Sequence, residues 1–460
     1  MQSEIKKNIT FALLAQIVSL MASVLMSLFV PKILNIYDYA LWQLFLFYNS
    51  YVGLFLFGLN GGIYLTEGGK RGSDIDYSAI GSQIRFGALV QIIIGICIFV
   101  AVNLINQNPD RVFVLCAASI YLIISNVNDL FGYFYQAINQ TRLYSISATV
   151  DRALFLAVLA ISVTAFRVDD YKVYIVAFIA TKSVALALTL GFGREIICSK
   201  WTNVRLTILN VIHSIQIGLK LTISTLAGTL ILGVTRQLVD LSMGIEVFGK
   251  VSFSVSMVNF FLQFSAQFAL VLFPELRRKG DNLPNIYKRS SSLLSTVLPV
   301  VYILYIPLSV LINAWLPQYQ DSLKYLILLL PMCIYDGKMN VLGTTYYKVV
   351  RKEGTLLKVN LVSLGASIVL NFLACFVFRS LTLSLTFTTF VIMARSIYSE
   401  KYFENYFSCS DGESWIWNIA LSLIFMLSYD LGKIMMLPLV LIYGFFLYRN
   451  RSAISRFQQR

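Results

Sequence analysis

The sequence between residues 217 and 280 reads IGLKLTISTLAGTLILGVTRQLVDLSMGIEVFGKVSFSVSMVNFFLQFSAQFALVLFPELRRKG. It contains two apolar runs, which are separated by a short connection at residues 243–246 and followed by a basic cluster at 277–279. Each run is long enough to cross a bilayer, because about 20 residues of α-helix span roughly 30 Å of hydrocarbon. The stretch therefore predicts two transmembrane helices joined by a tight connection.

A similar plan occurs near the N-terminus. The apolar runs there cover residues 10–34 and 40–59, residues 35–39 connect them, and the basic pair Lys70 and Arg71 follows. The second copy begins about 210 residues after the first, which is about half of the chain. A repeat on this scale in an apolar chain is typical of secondary transporters that are built from two membrane bundles.

The composition of the whole chain fits the same class. Of its 460 residues, 57% are hydrophobic and 13% are charged, with a mean hydropathy of +0.72. Soluble domains carry about a quarter of charged residues. The apolar runs do not alternate with polar residues as the strands of a membrane barrel do. We therefore predict an all-α polytopic membrane protein.

Counting apolar runs predicts about fourteen transmembrane helices. The predicted order is an N-terminal six-helix lobe at residues 1–193, a cytoplasmic amphipathic linker at 194–214, a second six-helix lobe at 215–400, and a C-terminal helix pair with a basic tail at 401–460. Lys and Arg are about threefold more frequent in one alternating set of loops. Cytoplasmic loops carry such an excess, so both termini are predicted to be cytoplasmic.

Ionisable residues inside predicted spans are costly in lipid and therefore mark candidate functional sites. The deep set is Asp129, Arg152, Lys182, Arg236, Asp336, Lys338 and Arg395. Five of these are cations and two are acids, so the pattern favours an anionic ligand such as a phosphate or pyrophosphate. Lys220, nearer a span end, joins the candidate cations. Internal salt bridges and snorkelling to the headgroups are the alternative explanations.

A polar stripe is predicted on the eighth span, where Asn259, Gln263 and Gln267 recur every four residues and so share one helix face. The stripe could line a cavity, or it could hydrogen-bond to a neighbouring helix.

Motifs for other chemistries are absent from the sequence. The six cysteines show no Cys-x-x-Cys spacing, the single histidine is His213, and no phosphate-binding loop occurs. The net charge of +14 fits basic loops beside anionic lipid headgroups better than nucleic-acid binding, because no soluble basic domain is predicted. We therefore expect no enzyme, no cofactor, no metal site and no nucleic-acid partner.

Short motifs occur in both halves: Lys7-Asn8, Val30-Pro31, YDYALWQ at 37–43, GLNG at 58–61, GLK at 218–220, EVFGK at 246–250 and LFPELR at 272–277. These segments resemble the Wzx-type lipid-linked oligosaccharide flippases of the MOP exporter superfamily, whose relatives include the MATE exporters.

The resemblance implies two six-helix lobes around a cationic central cavity that work by alternating access. The implied substrate is an undecaprenyl-pyrophosphate-linked oligosaccharide for O-antigen or capsule, flipped across the bacterial cytoplasmic membrane. Coupling to H⁺ or Na⁺ is a property of such families, and Asp129 and Asp336 are the candidate residues for it. Membrane lipids and glycan polymerase machinery are the implied partners, and the protein could act as a monomer.

Three other functions remain open at this point, and one of them, a non-transporting membrane scaffold, is disfavoured by the repeat and by the charged residues inside the spans. An ion-coupled multidrug exporter of the same superfamily would need an acidic cavity for cationic drugs, which the excess of Lys and Arg argues against. A membrane glycan polymerase or ligase would need a large external loop for its catalytic residues, and the span count leaves no such loop.

Overall fold

The computed structural model describes residues 2–70, 75–105, 107–162, 168–278, 283–409, 414–431 and 436–449. Within these ranges, side chains are described from residue 18 onward, except at 221, 264–278, 430–431, 436 and 449. Every regular element in the described part of the chain is helical. The all-α prediction is confirmed.

The chain divides into two compact units, Met1–Leu226 and Ala227–Arg460. Helices of the first part are α1 Gln2–Ile33, α2 Ile36–Asn49, α3 Leu59–Glu67, α4 Tyr77–Ile105, α5 Pro109–Ala137, α6 Thr141–Ile161, α7 Tyr171–Phe192, α8 Arg194–Ile197 and α9 Val204–Met243. Those of the second part are α10 Ile245–Arg278, α11 Leu283–Val297, α12 Val300–Trp315, α13 Gln320–Leu329, α14 Met332–Lys338, α15 Thr345–Val349, α16 Glu353–Phe372, α17 Leu381–Tyr406, α18 Ser414–Leu431 and α19 Met436–Arg449.

The boundary between the units falls inside α9, whereas the predicted linker at 194–214 covers α8 and the start of α9. The predicted domain limits stay a prediction.

The described helices account for a multi-pass membrane protein. Nine helical segments are long and apolar enough to cross a bilayer, and two bent helix pairs raise the number to eleven. Three shorter apolar helices, Val18–Ile33, Ser414–Tyr429 and Leu437–Tyr448, coincide with the first and the last two predicted spans. All fourteen predicted spans therefore fall on apolar helices in the described ranges, eleven of them on segments of full length or bent pairs.

The second predicted span is broken rather than straight. Between α2 and α3, residues Val52–Leu56 form a 3₁₀ helix, and the chain then bends by 55° at Phe57 and Gly58, which both have positive φ. The amide of Asn126 donates to the carbonyl of Val52 at 2.8 Å, and the amide of Gln91 donates to the carbonyl of Phe55 at 2.8 Å. These bonds supply side-chain donors to backbone carbonyls at the break, where the regular helical pattern is interrupted.

The first unit is held together by aromatic packing between α2, α6 and α7. The buried ring of Trp42 stacks on Phe155 with centroids 5.9 Å apart, and it meets the edge of Phe178 at 5.7 Å. Aromatic pairs in these geometries add to the stabilisation that burial alone gives. They fix the faces of α6 and α7 that carry the charged residues described below.

Glycines allow α3 to approach the first part of α9 closely. A Cβ on Gly62 would lie 1.9 Å from the carbonyl oxygen of Ser214, and a Cβ on Gly218 would lie 2.0 Å from the carbonyl oxygen of Gly58. A side chain at either position would push the two backbones apart.

In the second unit, α13 and α14 form one bent span. The bend of 47° lies at Pro331, where the missing backbone N–H cannot continue the helical hydrogen bonds. A π-helical segment, Met339–Thr344, follows α14 directly. Helix α17 packs against α13, α14 and α16, while α18 packs against α11 and α13. These contacts bring the charged residues of α14 and α17 face to face.

Candidate functional site

The first unit contains an ion pair between neighbouring helices. Nζ of Lys182 on α7 lies 4.0 Å from Oδ2 of Asp151 on α6, and both side chains are largely buried, with 13% and 6% of their surface exposed. The hydroxyl of Thr181 donates to the other carboxylate oxygen at 3.1 Å. The buried carboxylate of Asp151 is therefore stabilised by the ammonium of Lys182 and by the hydroxyl of Thr181.

Two further predicted residues surround this pair. Asp129 on α5 and Arg152 on α6 both interact electrostatically with Lys182. The guanidinium carbon of Arg152 lies 5.6 Å from the centroid of the Phe178 ring, a cation–π contact. The first unit thus brings together Asp129, Arg152 and Lys182 from three helices, with Asp151 as a fourth member.

The second unit contains a more tightly bonded pair. Nζ of Lys338 at the end of α14 donates to both carboxylate oxygens of Glu400 on α17, at 2.9 and 3.1 Å. The side chains are 3% and 6% exposed. Ser291 on α11 donates to the same carboxylate at 3.1 Å, and the phenol of Tyr287 donates to the Glu400 backbone carbonyl at 3.2 Å.

A second pair lies beside it. The guanidinium of Arg395 on α17 donates to the carboxylate of Asp336 on α14. A Cβ on Gly228 would lie 3.1 Å from a terminal nitrogen of Arg395, so a small residue on α9 leaves room for the guanidinium. Because Arg395 and Lys338 each have their own acid, the two pairs join α14 to α17 at neighbouring positions.

The remaining candidates have different surroundings. Arg236 donates to the hydroxyl of Ser252 at 3.2 and 2.9 Å, and its guanidinium carbon lies 5.1 Å from the centroid of the Phe248 ring. Lys220 on α9 is exposed.

The predicted polar stripe on α10 is described only in part. Asn259 is exposed and Gln263 is partly buried, whereas the side chain of Gln267 lies outside the described residues.

Three acids missed by the sequence analysis change the charge balance. Asp151, Asp240 and Glu400 are buried, with 4%, 3% and 6% of their surface exposed. Glu400 is the last residue of the second predicted lobe, and Asp151 directly precedes the candidate Arg152 on α6. With Asp129 and Asp336 they make five acids against the six candidate cations, so the charge among these residues is closer to balance than the sequence predicts.

Neither a protein-family model nor a curated protein matches the sequence. Several solved structures match it. Lipid II flippase MurJ, in an inward closed conformation, matches over 97% of this chain and 99% of its own, with a TM-score of 0.66 and 13% identity. An inward-facing multidrug resistance MATE family transporter of the MOP superfamily matches over 85% of this chain and 98% of its own, with a TM-score of 0.55 and 11% identity.

By name these neighbours are a flippase and a transporter, and neither is an enzyme. The TM-scores establish a common fold, whereas sequence identities this low leave the substrate open. The chain is thus a multi-pass membrane protein with the fold of the lipid II flippase MurJ and of MATE transporters of the MOP superfamily.

Proposed function

We propose that the protein is a flippase that moves an undecaprenyl-pyrophosphate-linked oligosaccharide across the bacterial cytoplasmic membrane by alternating access. The observation that carries this proposal is the fold shared with a lipid II flippase over 97% of the chain. The O-antigen or capsule repeat unit is the proposed class of glycan, and both termini are proposed to be cytoplasmic.

Arg152 is the proposed first contact for the pyrophosphate. Its guanidinium lies over the face of Phe178 and near the like charge of Lys182, and no carboxylate of the described residues lies within ion-pair distance of it. Guanidinium presents several donors in one plane and suits two phosphate oxygens at once. Lys182 lies close enough to add a second positive charge while Asp151 holds it in place.

The other cations have supporting roles in this proposal. Lys338 and Arg395 are engaged by Glu400 and Asp336, so they would reach a phosphate only after those pairs open. Arg236 and Lys220 remain proposed substrate contacts, and Asn259, Gln263 and Gln267 remain the proposed polar lining. Asp129 and Asp336 remain the proposed residues for H⁺ or Na⁺ coupling. Glycan polymerase machinery is the proposed partner that receives the exported product. The protein is proposed to work as a monomer.

A flipping assay tests the proposal. The full-length protein is placed in proteoliposomes with a short undecaprenyl-pyrophosphate oligosaccharide, and flipped substrate is measured with and without H⁺ and Na⁺ gradients. We expect Arg152→Ala to lose at least about tenfold in rate, since one charge-assisted hydrogen-bonding group contributes about 1.5–3 kcal/mol. Lys172→Ala is the matched control, because this cation lies at the exposed start of α7. Absence of flipping by the wild type under every gradient would overturn the proposal.

An ion-coupled multidrug exporter is the second candidate. Acids inside the helices support it, because a cationic drug needs negative charge. Asp129 is one such acid, whereas Asp151, Asp336 and Glu400 would reach a drug only after their ion pairs open. The same proteoliposomes, loaded with a fluorescent organic cation, separate the two functions. Export of the cation without any flipping would assign the protein to this class.

A further inference from the structure

We propose that Tyr64, Tyr133 and Tyr144 of the first unit bind the outer sugars of the substrate's glycan, at a place separate from the contact for its pyrophosphate. Together these three side chains form the tyrosine patch. The inference rests on the flippase function proposed above and specifies which part of the protein binds carbohydrate.

The tyrosine patch joins three helices of the first unit. Tyr64 lies on α3, Tyr133 on α5 and Tyr144 on α6. The rings of Tyr64 and Tyr133 meet edge to face, with their centroids 6.3 Å apart and an angle of 88° between their planes. Tyr144 interacts electrostatically with Tyr133. A Cβ on Gly132 of α5 would clash with the ring of Tyr144, so glycine at this position lets the ring lie against α5. The three rings therefore form one continuous patch.

Polar groups of the patch have no partner of their own. In the parts of the chain that the structure describes, none of the three phenols forms a hydrogen bond, and neither does the side-chain amide of Gln136. Tyr64 is 43% exposed, and Tyr133 and Tyr144 are partly buried. A hydroxyl or amide without a partner is costly in hydrocarbon. This face of the first unit is therefore suited to water or a polar ligand rather than to lipid tails.

The patch continues the charged cluster that contains Arg152. On α5, Asp129, Tyr133 and Gln136 recur at spacings of four and three residues and so share one helix face. Asp129 interacts electrostatically with Tyr133 and with Tyr144. On α6, Arg152 lies about 12 Å along the helix axis from Tyr144. A pyrophosphate on Arg152 would therefore place the outer sugars of its glycan, rather than the first sugar, beside the rings.

The chemistry of the patch favours carbohydrate over other ligands. The face of an aromatic ring is electron-rich and attracts the C–H groups on the less polar face of a pyranose. The phenols and the amide of Gln136 can donate to and accept from sugar hydroxyls. A prenyl tail would leave these groups without a partner, and an organic cation would be repelled by Arg152 and Lys182 nearby. A neutral glycan is the ligand that uses both the rings and their hydroxyls.

Flipping of two substrates that differ only in the length of the glycan tests the inference. Proteoliposomes with the full-length protein receive undecaprenyl-pyrophosphate that carries either one N-acetylglucosamine or a linear neutral tetrasaccharide beginning with this sugar. Tyr133→Leu and Tyr144→Leu should each lower the rate for the tetrasaccharide lipid about tenfold, because a stacking ring is lost, and should leave the one-sugar lipid within about twofold of the wild type. Tyr133→Phe keeps the ring and should retain most of the rate for the longer substrate.

Controls separate sugar binding from effects on the fold. Tyr398→Leu is the matched control, because this tyrosine of the second unit is 58% exposed, and it should flip both lipids as the wild type does. Tyr64→Leu changes the most exposed ring of the patch and serves as the test variant if Tyr133→Leu and Tyr144→Leu do not fold.

The outcomes distinguish the inference from the function on which it rests. Equal losses for both lipids would assign the rings to the fold, and no loss for either would make them anchors at the membrane surface. Each of these results, or a wild type that flips the one-sugar lipid alone, overturns the inference and leaves the proposed function in place. A wild type that flips neither lipid overturns the proposed function and the inference with it.

Discussion

The phenol of Tyr302 on α12 donates a hydrogen bond of 2.7 Å to the hydroxyl of Ser422 on α18. The phenol of Tyr335 on α14 lies 3.0 Å from the same hydroxyl, which itself donates to the Asn418 carbonyl at 2.6 Å. All three side chains are buried. The first helix of the C-terminal pair is therefore bonded to two helices of the second unit and is an integral part of it.

Replacing Ser422 should destabilise the protein. Ser422→Ala leaves two buried phenols without their common partner, and each unsatisfied group costs about 1–3 kcal/mol. The apparent melting temperature in detergent should fall, and Tyr302→Phe should lower it less because no polar group is then left buried at that position. Tyr398→Phe is the control, since 58% of this side chain is exposed. Equal stability of Ser422→Ala and the wild type would mean that α18 is held by apolar packing alone.

The close approach of α3 and α9 leads to a second prediction, which concerns the stability of a Gly62 variant. Gly62→Ala places a methyl group 1.9 Å from the Ser214 carbonyl oxygen, so the two helices must separate. Overpacking of this kind costs about 1–3 kcal/mol, and we expect a lower yield of folded protein and a lower melting temperature. Gly53→Ala is the matched control, because a Cβ there has no atom within 4 Å. A Gly62→Ala variant as stable as Gly53→Ala would contradict the close packing.

The sequence predicted the helices better than the site, for a physical reason. Membrane spans are local features that need only about 20 apolar residues in a row, and all fourteen predicted spans fall on helices in the described ranges. Ion pairs depend on which helices pack against each other, and local sequence patterns do not show this. Glu400 and Lys338 are 62 positions apart, and Thr181 and Asp151 are 30 apart.

One local signal could have identified the missed acids. Asp151 and Glu400 both lie within or at the end of an apolar run, where an acid is costly unless it is paired. Counting these two acids together with Asp129 and Asp336 would have reduced the apparent excess of positive charge among the candidates. Gly58 and Pro331, at which the two bends lie, can be read from the sequence, but the angles of the bends depend on packing between helices.

The pair between Arg395 and Asp336 provides a third prediction. Asp336→Asn leaves a buried guanidinium without its counter-charge, and breaking a buried ion pair costs about 3–5 kcal/mol. Adding Arg395→Met should recover at least about half of the lost stability, because the charge is then replaced by an apolar group. Thermal unfolding of the wild type, both single variants and the double variant completes the cycle. Strictly additive losses would show that the two side chains do not interact.

A last prediction separates structure from transport at Lys182. Lys182→Gln leaves Asp151 buried without its cation and should lower stability, whereas the double variant Lys182→Gln with Asp151→Asn should regain most of it. If Lys182 also serves the pyrophosphate, flipping by the stable double variant stays at least about tenfold below that of the wild type, because the charge is still absent. Flipping at the wild-type rate would assign Lys182 to the fold alone and leave Arg152 as the phosphate contact of the first unit.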